Sequence, residues 1–243
     1  ADGTELVCVS LADRVSLAVE GDMADLTPYA WTRTVTVDPA GAIAVGQKAG
    51  RRALRRLGSR RLGTRQVPVL FAPELARGLI GHFIAAIRGG ALYRKSSFLL
   101  DRLGTPVFPD FVTLRERPRL HKALGSAPFD SEGVATADRD VVSDGVLRGY
   151  VLDSYSARRL GMQTTGNAGG THNLIVEPGS LGQEELLRQL DTGLWVTELL
   201  GHGVNLVTGD YSRGASGFWV EQGQVCYPVH EITIAGNLSD LFR

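Results

Sequence analysis

Cysteine is scarce: Cys8 and Cys226 are the only two in 243 residues. They are far apart and have no second pair, which excludes a disulfide framework and a Cys-x-x-Cys metal site and predicts a reducing, cytoplasmic setting. Excess charge of one sign is also missing. Lysine plus arginine equals aspartate plus glutamate at 26 each, so no overall field draws the chain to nucleic acid or to an anionic membrane. No apolar run approaches the roughly eighteen residues that a membrane-spanning helix needs. No basic segment followed by an apolar run stands at Ala1, so the sequon Asn237-Leu238-Ser239 reads as chance. A starting methionine is absent as well. Ala1-Asp2-Gly3 leads directly into apolar, β-branched runs over residues 6–11 and 15–19, as though entering the middle of a sheet, and further chain is expected before Ala1.

Common catalytic signatures are missing too. Zinc hydrolysis on a helix uses paired histidines with a glutamate beside the first, as in His-Glu-x-x-His. The five histidines, at 82, 121, 172, 202 and 230, never fall within five residues of one another, and His230-Glu231 sits in an apparent strand with no second histidine. Gly214-Ala215-Ser216-Gly217 lacks the residue after serine that a nucleophile elbow requires. The glycine clusters at 166–170 and 201–203 fit neither a P-loop nor a dinucleotide fingerprint. No histidine neighbours either cysteine, which leaves a thiol mechanism without support.

What is present is a chain with 43% hydrophobic residues, enough to bury a substantial core. Asp38-Pro39 reads as an N-cap and first helical residue, with Ile43, Ala49, Ala53, Leu54 and Leu57 recurring at helical spacing until Gly58. The opposite face carries Lys48, Arg51, Arg52, Arg55 and Arg56, followed by Arg60, Arg61 and Arg65. It could contact phosphates, but a solvated face with cations near the helix C-terminus explains it without a ligand. Residues 67–71 suit a strand. Pro73-Glu74 opens a second helix with Leu75, Leu79, Phe83 and Ile87 on one face until Gly89-Gly90, and a third helical segment is expected over residues 91–103. Prolines at 106, 109, 118 and 128 then mark a change to short extended pieces, one of them at 111–114.

Asp144-Gly145 between β-rich runs at 139–142 and 146–152 predicts a hairpin. Short helices are expected over 154–160, closed by Gly161, and from the Ser180-Leu181-Gly182-Gln183 capping box to about 190. Strands are expected at 204–208, 217–220 and 224–229, the last two joined by Gln222-Gly223. This order predicts an α+β fold, with N-terminal helices followed by a mostly antiparallel, hairpin-rich sheet and a few short helices. The texture that stands out is a glycine-, amide- and hydroxyl-rich stretch over residues 153–235. Its polar segments at 164–173 and 208–214 read either as plain turns or as a surface where an extended peptide could add to a sheet edge. The candidate substrate-binding residues within it are Asn167, His172, Asn173, Asp210, Tyr211, Ser212 and Arg213.

Six motifs occur in order: Phe129-Asp130-Ser131-Glu132-Gly133-Val134; Asp153-Ser154-Tyr155-Ser156-Ala157-Arg158; Thr165-Gly166-Asn167-Ala168-Gly169-Gly170; Val196-Thr197-Glu198-Leu199-Leu200-Gly201; Gly209-Asp210-Tyr211-Ser212-Arg213-Gly214-Ala215 with Gly217-Phe218-Trp219-Val220; and Glu231-Ile232-Thr233-Ile234-Ala235-Gly236-Asn237-Leu238. Together they resemble the TldD/PmbA family, and more narrowly its PmbA (TldE) branch. The resemblance places residues 1–66 at the end of the family's central region and 67–243 in its C-terminal domain.

The family implies a cytoplasmic peptidase assembly in which a TldD-type subunit binds zinc and a PmbA-type subunit is its partner. Its substrates are unfolded or flexible peptides, including modified peptide precursors and a plasmid antitoxin, and older names describe a modulator of DNA gyrase. The catalytic sibling's His-Glu-x-x-x-His helix corresponds to Ala72, Pro73 and Arg77. Sliding by one residue brings Glu74 under the glutamate, but no slide supplies two histidines, and Cys226 does not match the sibling's cysteine ligand. The resemblance therefore predicts a chain with no metal or other cofactor of its own, with zinc in the TldD-type partner. The chain would pair in a heterodimer, or with itself as a homodimer, and contact extended peptides. Two alternatives stand beside this: a peptidase in its own right using Glu74 and His82, and a regulator binding DNA or gyrase through the arginine-rich helix.

Overall fold

A computed structural model describes residues 15–16, 29–30 and 39–243. The strands β1 (Val15–Ser16) and β2 (Tyr29–Ala30) pair antiparallel, and α1 (Pro39–Leu54) follows. Next come β3 (Val69–Phe71), α2 (Pro73–Ala86), the short α3 (Gly89–Tyr93), β4 (Leu114–Glu116), β5 (Arg139–Ser143), β6 (Val146–Leu147), α4 (Ser154–Arg159) and β7 (Leu174–Val176). The chain closes with α5 (Gln183–Leu190), the long strands β8 (Gly193–Leu200), β9 (Asp210–Glu221) and β10 (Gln224–Asn237), and one turn of helix, α6 (Leu238–Leu241). The run at 6–11, most of that at 15–19, Cys8 and the Asp38 cap lie outside the described residues.

Two four-stranded sheets carry the fold, ordered β10-β9-β8-β3 and β6-β5-β4-β7. β3 runs parallel to β8, and the remaining pairs of named strands are antiparallel, so the α+β, mostly antiparallel expectation holds. The main core lies between the sheets and α2. It joins Phe83 and Ile87 to Leu114, Val141 and Val142 of one sheet and to Val196, Ala215 and Trp219 of the other. Full burial of side chains such as Phe83 and Ile87 stabilises by roughly 1.5–3 kcal/mol each. A smaller cluster on the other face of the long sheet packs Leu187 of α5 on Trp195, Phe218 and Val220.

The turn chemistry follows the sequence closely. Asp144 and Gly145 take φ of 51° and 72°, the left-handed pair that matches strand twist in a two-residue hairpin. A Cβ on Gly145 would lie 2.2 Å from the Phe108 carbonyl oxygen, so space and backbone both demand glycine. Gln222 and Gly223 repeat the geometry at 51° and 71°. Asp153 caps α4, its Oδ1 accepting from Ser156 N at 2.6 Å. Asn237, the sequon residue, caps α6 by accepting from Ser239 N. In α5 the N-cap is Gly182 rather than Ser180, and Glu185 reaches back to the Gly182 N–H.

Three expectations are overturned. The first concerns α1, whose inward face consists of Ala49 and Ala53 flanked by half-buried Arg52 and Arg56. Ile43 and Leu54 are 65% and 62% exposed, because the two alanines allow close approach while Arg52 finds Glu74 of α2 and Arg56 finds Glu198 of β8. The helix also ends at Leu54, before Gly58. The second is the helix expected over 91–103. It is only α3, which begins at the glycines expected to act as a stop. A Cβ on Gly89 would lie 2.1 Å from Ser156 Oγ, so glycine there permits close packing on α4, and left-handed Lys95 and Asp101 prevent continuation. The third is the strand expected at 204–208, which is a turn with one bridge, Val204 to Tyr211. The 111–114 piece is mostly irregular, with β4 beginning only at Leu114.

Candidate functional site

The start of α2, with Ala72, Pro73, Glu74 and Leu75, forms one wall of a cleft of about 640 Å³. Ala72, Pro73 and Arg77 are the residues that the family resemblance aligns with the sibling's metal motif, and Arg77 does not line the cleft. Ala72 is buried, donating its N–H to Val196 O and accepting at its own carbonyl from Leu75 and Ala76. Pro73 occupies the first helical position, where its missing N–H costs nothing. α1 and the turn after it supply Lys48, Arg51, Arg52, Arg55 and Arg56, and the sheet supplies Trp195, Glu198 and Phe218. Lys48 and Arg52 both engage the Glu74 carboxylate. Arg56 Nη1 pairs with Glu198 Oε2 at 2.6 Å, and the Arg55 guanidinium lies 4.8 Å over the Phe218 ring and 5.4 Å over Trp195. Burial would raise the Glu74 pKa, but its backbone hydrogen bond, Arg52 and Lys48 outweigh that and hold it at about 2.

This donor chemistry does not suit zinc. A methyl, a ring without a donor and a guanidinium provide no ligand, and the surrounding cations repel a divalent ion. Among the described residues no three His, Cys, Asp or Glu side chains come close enough to hold a metal. Cys226 is exposed on β10, its thiol donating to Gln224 O.

The arginine-rich stretch is not a free solvated face. Beyond Arg55 and Arg56, Arg60 stacks on Tyr227 and Arg65 on Trp219, while Arg61 pairs with Glu231. The Arg60 main chain also bridges β10 through Pro228 O and His230 N. Much of the basic stretch is thus engaged by the sheet or by Glu74 rather than forming one solvated stripe. Glu74 and His82 are likewise not partners, being separated by two turns of α2, roughly 12 Å of helix rise.

His82 instead lines a separate pocket of about 210 Å³ with His202, Val204, Leu206 and Arg213. Burial first, and the Arg213 charge second, push its pKa below the usual 6.5. Its ring meets Tyr211 edge-on at 6.2 Å. Burial raises the Tyr211 pKa although the adjacent Arg213 works against it. Tyr211 Oη and Arg213 Nε are buried and, among the described residues, neither has a hydrogen-bond partner in good geometry, although the Arg213 side chain lies close enough to Tyr211 to act on its pKa. Two candidate residues thus meet His82, which sequence reasoning had assigned to a different scheme.

Asp210 and Ser212 lie in β9 and are exposed. Main-chain addition of a peptide there is blocked, because Asp210 O accepts from Asn205 N, Ser212 N donates to Gly203 O, and β10 covers the other edge. The other candidates belong to the second sheet. Asn167 is buried, donating from Nδ2 to Glu116 Oε1 at 2.7 Å and to Gly170 O. The His172 N–H donates to the same Glu116 oxygen at 2.6 Å, while Arg139 Nε reaches Glu116 Oε2 at 2.7 Å. Asn173 binds Gly125 N, Arg117 O and Ser126 Oγ. Asp130 further fixes this loop. Its burial alone would raise its pKa, but N–H donors from Ala168, Val134 and Glu132 hold it below the ordinary value. No hydrogen bond or ion pair among the described residues joins this loop to the 210–213 segment. Sequence reasoning missed Glu116, and the only available signal was a glutamate flanked by arginines in a predicted extended region.

Comparison with known proteins places the architecture in a peptidase class: residues 64–243 match the family described as PmbA/TldA metallopeptidase C-terminal domain. The chain belongs to the PmbA/TldD family, in its PmbA (TldE) branch. It is 56% identical over 199 residues to the metalloprotease PmbA of Escherichia coli O157:H7, covering 82% of this chain and 44% of that protein. The chain thus spans less than half the length of the curated relatives it matches. A Bacteroides thetaiotaomicron protein described as a candidate modulator of DNA gyrase superposes with a TM-score of 0.82 at 32% identity, over 96% of this chain and 53% of that one. TldE from Thermococcus kodakarensis gives a TM-score of 0.75 over 92% of this chain and 54% of that one. At 23% identity that likeness is one of fold. Among the described residues no helix is long and apolar enough to cross a membrane.

Proposed function

We propose that this chain is a metal-free PmbA-type subunit that pairs with a zinc-bearing TldD-type subunit in the cytoplasm and helps to hold extended peptides for cleavage by that partner. In this reading residues 67–243 are the C-terminal domain and residues 1–66 the end of the preceding region. What supports it is the wall of the cleft: Ala72 and Pro73, which the family resemblance matches to the catalytic sibling's first histidine and glutamate, lie there beside Lys48 and Arg52. Peptide contact is supported by the buried Tyr211 Oη and Arg213 Nε, which lack a well-placed hydrogen-bond partner among the described residues and are donors suited to main-chain carbonyls. The outer edge of β7, with Ile175 and Val176 exposed next to His172, offers a strand for main-chain pairing. Asn167 and Asn173 shape the loop that leads into it.

Co-expression of the full-length protein with a TldD-type subunit tests this. The two are expected to co-purify and to cleave a flexible peptide that this subunit alone leaves intact. Arg213→Ala is expected to slow cleavage without separating the subunits. Cleavage by this subunit alone, or failure of the two to associate, would contradict the reading.

A further inference from the structure

We propose that the cleft between α1, the start of α2 and strands β8 and β9 is a carboxylate-binding site that selects acidic segments of extended peptides; this rests on the reading of the chain as a peptide-contacting subunit. The cleft sets five cations against two carboxylates, Glu74 and Glu198. It therefore keeps a positive potential after its internal pairs form, although the chain as a whole is neutral. The site already holds one carboxylate in the required manner. Glu74 sits between Lys48 and Arg52, which demonstrates that these side chains converge on a carboxyl group.

Arg55 and Arg51 extend this arrangement outward. Stacking on Phe218 and Trp195 fixes the plane of the Arg55 guanidinium and leaves its N–H edge available, the fork geometry that grips a carboxylate with two bonds. Arg51 is exposed and makes no ion pair among the described residues. The N-terminus of α2, a helix of 14 residues, adds its positive end to the same wall. A nucleic-acid strand fits less well. The cleft is a compact, partly open hollow rather than a long stripe, and the carboxylates of Glu74 and Glu198 on its wall would repel phosphates.

The test is fluorescence anisotropy of the full-length protein with a labelled, flexible peptide carrying an Asp-Glu pair. Its Asn-Gln counterpart serves as the comparison, each peptide with a free or amidated C-terminus. The acidic peptide is expected to bind roughly tenfold tighter than the neutral one, the preference shrinking as salt rises. Arg51→Gln with Arg55→Gln is expected to remove most of it. Arg51→Gln alone, at an exposed position, keeps the test valid if the double variant does not fold. Amidation distinguishes side-chain from terminal carboxylate as the source. Equal binding of acidic and neutral peptides, or no effect of Arg51→Gln, would overturn the proposal, as would tighter binding of single-stranded DNA of equal charge. If the neutral peptide is still bound and cleaved with the TldD-type partner, only the acidic selectivity fails; if neither peptide binds and no pair forms, the functional reading fails with it.

Discussion

Arg56 Nη1 lies 2.6 Å from Glu198 Oε2, with the side chains only 10% and 16% exposed. This pair ties the turn after α1 to β8 and closes one end of the basic cleft. Arg56→Ala leaves the carboxylate without its cation and is expected to lower stability by about 2–3 kcal/mol. Arg56→Leu combined with Glu198→Leu is expected to recover much of that loss. Urea unfolding of the single and double variants checks both values.

Glu116 is the hub of the second sheet, taking donors from Arg139, Asn167 and His172 at 2% exposure. Glu116→Leu strands all three donors and is expected to cost about 3–5 kcal/mol, whereas Glu116→Gln keeps the shape and costs less. Thermal unfolding should rank wild type, Glu116→Gln and Glu116→Leu in that order.

Two groups give opposite ends of the acid response the same sign. His82 is held below 6.5 by burial and then by Arg213, so the unfolded chain binds its proton more readily than the folded one. That contribution is complete above pH 6.5 and is lost as pH falls below it. Glu74, lowered from 4.5 to about 2, contributes above pH 4.5 and loses its contribution between there and about pH 2. His82→Gln is expected to flatten the pH dependence of stability just below neutrality without altering the lower limb. Denaturation midpoints measured from pH 7.5 down to pH 3 check this.

Gly217 faces β8 so closely that a Cβ would lie 2.1 Å from the Trp195 carbonyl oxygen and 2.9 Å from Val196 Cα. Gly217→Ala must push backbone apart and is expected to destabilise by about 2 kcal/mol or more. Gly161→Ala meets open space and carries only the strain of a φ of 68°, a cost of roughly 1 kcal/mol. Melting temperatures of the two variants should separate accordingly.

Local chemistry was the legible part of the sequence. Asp144-Gly145, Gln222-Gly223, the Asp153 cap and the spacing of Leu75, Leu79, Phe83 and Ile87 each encode their structure within a few residues. The illegible parts depend on distant partners. Arg52 of α1 meets Glu74, and Arg55 and Arg56 just after it meet Trp195, Phe218 and Glu198, and nothing near residue 52 signals those partners. Asn167 and Asn173 read as free amides only while Glu116 and Gly125 are out of view. Tyr211 and Arg213 meet His82 across more than a hundred residues of chain, so their pocket emerges only from the fold.

The central claim is that this subunit acts in a metallopeptidase family without metal chemistry of its own. Metal analysis of the purified full-length protein, paired with a peptidase assay before and after chelation, tests it most directly. The account predicts no stoichiometric zinc and no peptide cleavage by this subunit alone. One zinc per chain, removed by chelator together with a peptidase activity, would contradict it.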